Sequence, residues 1–438
     1  MKKLAVLICF LFYPLSIQIY GLDANSLTGH WEGEITREGK QWRVWLDVKS
    51  GNSKPDGTAD FPDFGLYALP VEINAENEKV KIEIKDGSSV VVFEGIQKKG
   101  NFSGVWNGLN ITADFNLKHT SPTPLDLYTQ ESVTFQSGEA TLAGTLIKPN
   151  KKGKHPAIVF THGSGNQTRS ETFYRSRAYL FARNGIAALI YDRRGRGESK
   201  GGDVTWNNLA DDAIAGLKML QARSDINPKR IGIGGFSQGG WISPLAAVRS
   251  EDVAFILVGS AAAVTPEQQN DYNAENSLLA RGVGEETIKT VMNLRNRVNR
   301  FLNTGSGNKT ELENEIAKLK TEKWFRYALL PEKLEPYDDA SVAYITFDPA
   351  PVWEKVDVPV CSLWGEKDSV VPVEKSKAII EDALDKGGNK NYLFKVFSDA
   401  GHGVSIVQDK DEAWDFPRLA PGYQETMIGC VLKNSAKK

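Results

Sequence analysis

Arg230-Ile-Gly-Ile-Gly-Gly-Phe-Ser237-Gln-Gly-Gly240 runs from a short apolar stretch straight into the helix-forming segment Trp241 to Val248. Ser237 has Gly235 and Gly239 two positions away on either side, a G-x-S-x-G pattern. A serine held on so tight a strand-to-helix turn crowds its neighbours unless the flanking positions lack a Cβ. Such a turn exposes Oγ as a nucleophile and points the next amide, that of Gln238, toward a substrate carbonyl oxygen. A glycine-rich turn of this kind can instead cradle a dinucleotide phosphate. Here Gly232-Ile-Gly234 followed three later by Ser237 breaks G-x-G-x-x-G, and G-x-x-x-x-G-K-[ST] is absent from the sequence. No cofactor is therefore expected, and no His/Cys grouping has the spacing of a metal site.

On both sides of this turn the chain repeats short continuous apolar runs, Ala157 to Phe160, Ile186 to Ile190, Ile231 to Ile233 and Phe255 to Val258. Such runs belong to parallel strands covered on both faces. Between them Leu209, Ala213, Leu217 and Leu220 form a helical stripe. Strand and helix in alternation predict a doubly wound α/β domain over residues 131–438. From about Ala262 to Ala350 the rhythm gives way to a charged stretch with Leu294, Val298, Phe301 and Leu302 at helical spacing. An insertion there, before apolar runs resume at Val358, predicts a helical cap over the ligand-binding edge of the sheet.

The general base follows by elimination among five histidines: His30, His119, His155, His162 and His402. His30 and His119 belong to or adjoin the N-terminal β region, His155 sits in a Lys-rich loop, and His162 ends a strand. His402, in Asp399-Ala-Gly-His-Gly403 after the strand-like Tyr392 to Phe397, remains. The acid is expected from the turn after the preceding strand, Gly365-Glu-Lys-Asp368, with Asp368 favoured over Glu366 and Asp399. The order serine, acid, histidine suits a nucleophile elbow. A second oxyanion donor is expected from His162-Gly-Ser-Gly165, Ser164 N–H first and Gly163 N–H second, beside Gln238 N–H. The turn Tyr191-Asp-Arg-Arg-Gly-Arg-Gly-Glu-Ser199 admits two readings: a grip on a substrate carboxylate, or a structural turn held by Asp192 and Arg193.

Residues 24–119 alternate in period two, with Trp42, Val44, Leu46 and Val48 on one face and Val80, Ile82 and Ile84 repeating it. This predicts a small all-β domain, lipocalin-like or a barrel, either with a pocket for a hydrophobic or glycan ligand or with aromatics that only fill its core. Residues 120–130, containing Ser121-Pro-Thr-Pro124, read as a linker. Met1-Lys2-Lys3 followed by an apolar run to Tyr20 and then Gly21 reads as a signal peptide over 1–21, so export to the periplasm or beyond is expected. No later stretch is apolar enough for a transmembrane segment. Cys9 leaves with the signal; one bridge between Cys361 and Cys430 is open to an exported chain, but the apolar run around Cys361 favours a packed, inert thiol. With 53 Lys+Arg against 55 Asp+Glu, the net charge of −2 carries no field to draw nucleic acid.

The HGSG loop, DRRGRGES turn, GFSQGG elbow, GEKDSVVP turn and AGHG loop, in that order, resemble α/β-hydrolases of the esterase and serine aminopeptidase branch. The match covers roughly residues 130 to 430, and the layout is similar to secreted bacterial two-domain esterases. The resemblance implies Ser237, Asp368 and His402 as a triad, and hydrolysis of a small-molecule carboxylic ester more than peptide cleavage. A binding module whose β domain holds a ligand, with a remnant hydrolase fold, is the competing class; the complete serine, acid and base in order argue against it.

Overall fold

The computed structural model describes residues 27–51, 55–76, 78–86, 89–108, 111–120, 127–165, 168–406 and 418–434. The expected signal peptide and the Ser121 to Pro124 segment lie outside them. The chain divides into two compact units, one drawn from Met1–Ala59 and Leu69–Leu125, the other from Asp60–Ala68 and Asp126–Lys438.

In the first, eight antiparallel strands close into a barrel in sequence order, from β1 (Gly29–Arg37) and β2 (Lys40–Lys49) through β3 (Asp56–Phe61), β4 (Leu66–Glu76), β5 (Lys79–Asp86), β6 (Ser89–Lys98) and β7 (Asn101–Gly108) to β8 (Ile111–Thr120). Closure comes from β1, which pairs Trp31 with Leu46 of β2 on one side and with His119 of β8 on the other. The period-two face points inward: Trp42, Val44, Leu46, Val48, Val80, Ile82 and Ile84 are all buried. Phe115 meets Phe93 and Phe102 edge to face, with ring centroids 5.0 and 4.7 Å away, so these aromatics pack as core. Gly95 and Gly104 face each other across β6 and β7; a Cβ on Gly95 would come within 2.1 Å of the Ser103 carbonyl oxygen, which is why side chains are absent there.

The second unit is built on an eight-stranded sheet in the order β16-β15-β14-β13-β11-β12-β10-β9. Its strands are β9 (Tyr128–Ser137), β10 (Ala140–Pro149), β11 (His155–Thr161), β12 (Ala187–Tyr191), β13 (Ile226–Phe236), β14 (Ile256–Gly259), β15 (Val360–Gly365) and β16 (Tyr392–Phe397). The pairs from β12 through β11 to β16 are parallel, whereas β9 and β10 form an antiparallel hairpin that joins β12 antiparallel. That hairpin narrows the expected linker, since β8 ends at Thr120 and β9 already begins at Tyr128. Half-exposed alternation in β9 hides it from a search for continuous apolar runs.

Helices α1 (Thr172–Arg183), α2 (Trp206–Gln221), α3 (Gly239–Arg249), α9 (Val373–Lys386) and α10 (Tyr423–Asn434) accompany the sheet. The stripe of Leu209, Ala213, Leu217 and Leu220 on α2 is fully buried in the main core with Ile231, Ile233 and Val258. Between β14 and β15 the chain turns helical as expected, through α4 (Pro266–Leu279), α5 (Glu285–Thr304), α6 (Lys309–Leu319), α7 (Asp339–Ile345) and α8 (Ala350–Trp353). Leu294, Val298, Phe301 and Leu302 of α5 pack on Leu312 and Ile316 of α6, giving the insertion a core of its own. One expectation fails: Cys361 is not a free, inert thiol but is bonded to Cys430, joining β15 to α10 with their Cα atoms 6.2 Å apart. A helix 69 residues downstream is invisible to any local reading of the strand.

Candidate active site

Ser237 sits between β13 and α3 with a φ of 53°, a left-handed conformation that is strained for a residue with a side chain. The turn is fixed from beneath by Ser237 N–H donating to the Gly259 carbonyl at 2.9 Å. A Cβ on Gly235 would meet Thr161 Oγ1 at 2.2 Å and Gly239 Cα at 2.8 Å, so the flanking glycine is required by close approach. Gln238 follows at the N-terminal end of α3, where first-turn amides have no intrahelical acceptor.

His402 reaches the same place from the loop after β16. Its Nδ1 lies 2.8 Å from Asp368 Oδ2, with the carboxylate fully buried and the imidazole one-third exposed. The other carboxylate oxygen, Oδ1, accepts the amides of Val370 at 2.8 Å and Val371 at 2.9 Å. The Asp368 side chain is thus locked by its own turn before it meets the histidine. Glu366 and Asp399 are placed elsewhere: Glu366 Oε2 accepts the Asp399 amide at 3.2 Å, and Asp399 pairs with Lys367 at 2.7 Å, all exposed. The Gly403 amide donates to Ser260 Oγ at 3.1 Å and so ties the histidine loop to the end of β14.

Ser237 and His402 line one cavity of about 460 Å³, together with Gly163, Ser164, Phe173, Tyr174, Phe236 and the α4 residues Gln269, Asn270 and Asn273. The helical insertion therefore supplies a wall of the site. Tyr272 of α4 also donates its hydroxyl to the Asp368 carbonyl at 3.1 Å. The two expected donors of the HGSG loop separate here. Gly163 N–H is taken by the Tyr174 hydroxyl at 2.7 Å, and Ser164 lines the same cavity as Ser237. Tyr174, on α1, was not visible as a site residue in the sequence; nothing local marks a helical tyrosine as the partner of a loop amide eleven residues earlier. Burial pushes its phenol above the usual range, so it stays protonated.

His162 is buried and gives its Nε2–H to the Tyr191 carbonyl at 2.6 Å. Burial pulls it down to about 4, helped by the Arg193 charge and opposed by the bond to Tyr191, so it is a neutral structural imidazole. The DRRGRGES turn is held by Asp192, whose carboxylate accepts the amides of Arg169 at 2.8 Å and Glu198 at 2.9 Å and pairs with the Arg169 guanidinium at 3.0 Å. Arg194 pairs with buried Asp212 at 2.6 Å. Arg193 is not part of that clasp; its Nη1 donates to the Gly165 carbonyl at 2.8 Å. Among the described residues no cluster of three His, Cys, Asp or Glu side chains gathers to hold a metal, and no helix is long and apolar enough to cross a membrane.

Residues 158–414 match the family model described as Alpha/beta hydrolase family. The chain is similar to Esterase EstD of Thermotoga maritima, 23% identical over 418 residues that span 90% of each. It is also similar to Dipeptidyl peptidase 8 of Homo sapiens, 29% identical over 155 residues, which cover 32% of this chain and 17% of that protein. Among solved structures, an esterase of Pyrococcus furiosus, Pf2001, aligns over 64% of this chain and 86% of its own with a TM-score of 0.42 and 18% identity.

Proposed function

The chain belongs to the alpha/beta hydrolase family, and on that premise we propose that it is an exported serine esterase whose triad is Ser237, His402 and Asp368. Ser237 Oγ attacks the ester carbonyl while His402 Nε2 takes its proton. The oxyanion that forms is held by the amides of Gln238 and Ser164. His402 then returns the proton to the departing alcohol, and a water activated by the same imidazole releases the acid from the acyl-enzyme. Asp368 keeps the imidazole in the tautomer that leaves Nε2 free to accept, and stabilises the imidazolium.

The observation that carries this reading is the cavity shared by a strained, half-buried serine and a histidine whose other nitrogen is held by a buried carboxylate. Similarity over nine-tenths of a protein named as an esterase supports carboxylic esters as the substrate. The shorter match to a dipeptidyl peptidase supports a second reading, cleavage of aminoacyl or peptidyl bonds. Export is supported by the basic and apolar start of the chain and by the Cys361–Cys430 bond, which suits an oxidising compartment.

Two assays on the purified protein test it. A fluorophosphonate should label Ser237, and p-nitrophenyl esters of short acids should be cleaved with kcat/KM at least ~100-fold above that for aminoacyl p-nitroanilides, a gap of roughly 2.7 kcal/mol in barrier. Anilides cleaved as fast as the esters would replace the esterase reading with the peptidase one.

A further inference from the structure

A second cavity, of about 450 Å³, adjoins the one that holds Ser237 and His402 and shares Ser164, Gln269 and Asn270 with it. Arg193, Arg196, Gln238 and Tyr344 also line it, and no Asp or Glu among the described residues does. Arg193 is buried, yet no carboxylate among the described residues pairs with it or with exposed Arg196, whereas Arg194 beside it is neutralised by Asp212. A buried guanidinium without a counter-ion is costly, and the usual remedy is an anion.

The hydrogen bonds around it point the same way. Arg193 donates to the Gly165 carbonyl and its charge lies against Tyr344, whose hydroxyl donates to Gln238 Oε1 at 3.4 Å. Because the chain of donation ends on the Gln238 carbonyl oxygen, the amide nitrogen of Gln238 is left with hydrogens to give. It has no acceptor among the described residues, and neither has Arg193 Nε. Surplus donors and a guanidinium with no carboxylate partner suit an acceptor-rich anion in this cavity.

We propose that this cavity is a subsite for a carboxylate carried on the acyl part of the substrate, so that half-esters of dicarboxylic acids are preferred over neutral esters of the same length. The proposal rests on the serine esterase reading. Gln238 links the two cavities, following the nucleophile in sequence while its side chain lines the second. A chain of a few methylenes between the scissile carbonyl and the carboxylate fits this arrangement, with Trp241, Val204 and Ile345 as its apolar walls.

The test compares monomethyl adipate with methyl hexanoate, matched in length and differing in the terminal carboxylate, by titrating acid release from the full chain. The half-ester should show kcat/KM about tenfold or more above the neutral ester, and Arg193→Gln and Arg196→Gln should each cut that ratio severalfold. Arg193→Gln also loses its bond to Gly165, so its melting temperature is recorded alongside; exposed Arg196 carries the comparison if that variant does not fold. As a readout independent of turnover, free adipate should slow fluorophosphonate labelling of Ser237 in the wild type more than hexanoate does, and less so in Arg196→Gln. A wild-type ratio of one or below, with no selective protection by adipate, overturns the subsite while cleavage of methyl hexanoate leaves the esterase reading standing. Failure of both esters together with absence of labelling sinks the esterase reading, and the subsite with it.

Discussion

His402 Nδ1 and Asp368 Oδ2 meet at 2.8 Å across 34 residues of sequence, and the remaining oxygen of that carboxylate is already bound to the amides of Val370 and Val371. Asp368→Asn preserves an oxygen for the two amides but turns N–H groups toward the histidine, which favours the tautomer unable to accept a proton at Nε2. The expected result is a fall in kcat of roughly 10⁴-fold with little change in melting temperature. Glu366→Gln and Asp399→Asn, whose carboxylates are exposed and engaged elsewhere, should stay within a few-fold of wild type in the same ester assay.

Ser237→Ala and His402→Ala should each lower kcat by roughly 10⁴-fold or more, and the double variant hardly further, because nucleophile and base act as one unit. Additive losses in steady-state kinetics would show that the two do not act as one unit. Since the imidazole must be neutral to accept the serine proton, acidification should depress kcat/KM in the wild type.

His162 supplies a stability effect that is separate from catalysis. Burial holds it near 4, below the ordinary histidine value of 6.5, so the unfolded chain binds the proton first. Its contribution is therefore fully present above pH 6.5 and is lost as pH falls from there toward 4, on the order of 3 kcal/mol in total across that window. Melting curves between pH 7 and 4.5 should fall more steeply for the wild type than for His162→Gln, which cannot charge. Parallel slopes would remove His162 from the acid transition.

The Cys361–Cys430 bond closes a loop of 69 residues between β15 and α10. Replacing both cysteines with alanine should cost about 2–4 kcal/mol, read as a lower melting temperature in non-reducing buffer. Thiol titration of the unfolded, unreduced protein lacking residues 1–21 should find no free cysteine. Two reactive thiols would mean that the bridge is not formed.

Gly235→Ala places a methyl group 2.2 Å from Thr161 Oγ1, and overpacking of this kind costs roughly 1–3 kcal/mol. Relief requires the elbow to shift, so activity should fall further than stability alone explains. Ester turnover measured well below the melting transition separates the two losses.

Local patterns carried much of this protein. G-x-S-x-G announces itself because a strained serine needs bare neighbours, and the structure shows the clash that a Cβ on Gly235 would bring and the tight contact of one on Gly239. Continuous apolar runs identified the parallel strands, and period-two alternation identified the barrel, because burial on two faces or one leaves a different trace in the chain. Of the three carboxylates expected near the histidine, Asp368 is the one whose side chain meets His402, while Glu366 accepts the Asp399 amide and Asp399 pairs with Lys367.

What the sequence could not give is whatever depends on where distant segments meet. The bond from Cys361 to Cys430, the hold of Tyr174 on the Gly163 amide, and the grouping of Asp60–Ala68 with the second unit have no local signature. Arg193 is the clearest case. Within the DRRGRGES run it cannot be told from its neighbours, and the run alone admits both a grip on a substrate carboxylate and a structural turn held by Asp192 and Arg193. Only the folded chain gives Asp192 to Arg169 and Asp212 to Arg194, leaving Arg193 buried with no carboxylate paired to it among the described residues. Residue type and spacing fix which groups can react, because those are properties of a few adjacent positions; which charges are neutralised is decided by the tertiary structure, because counter-ions arrive from elsewhere in the chain.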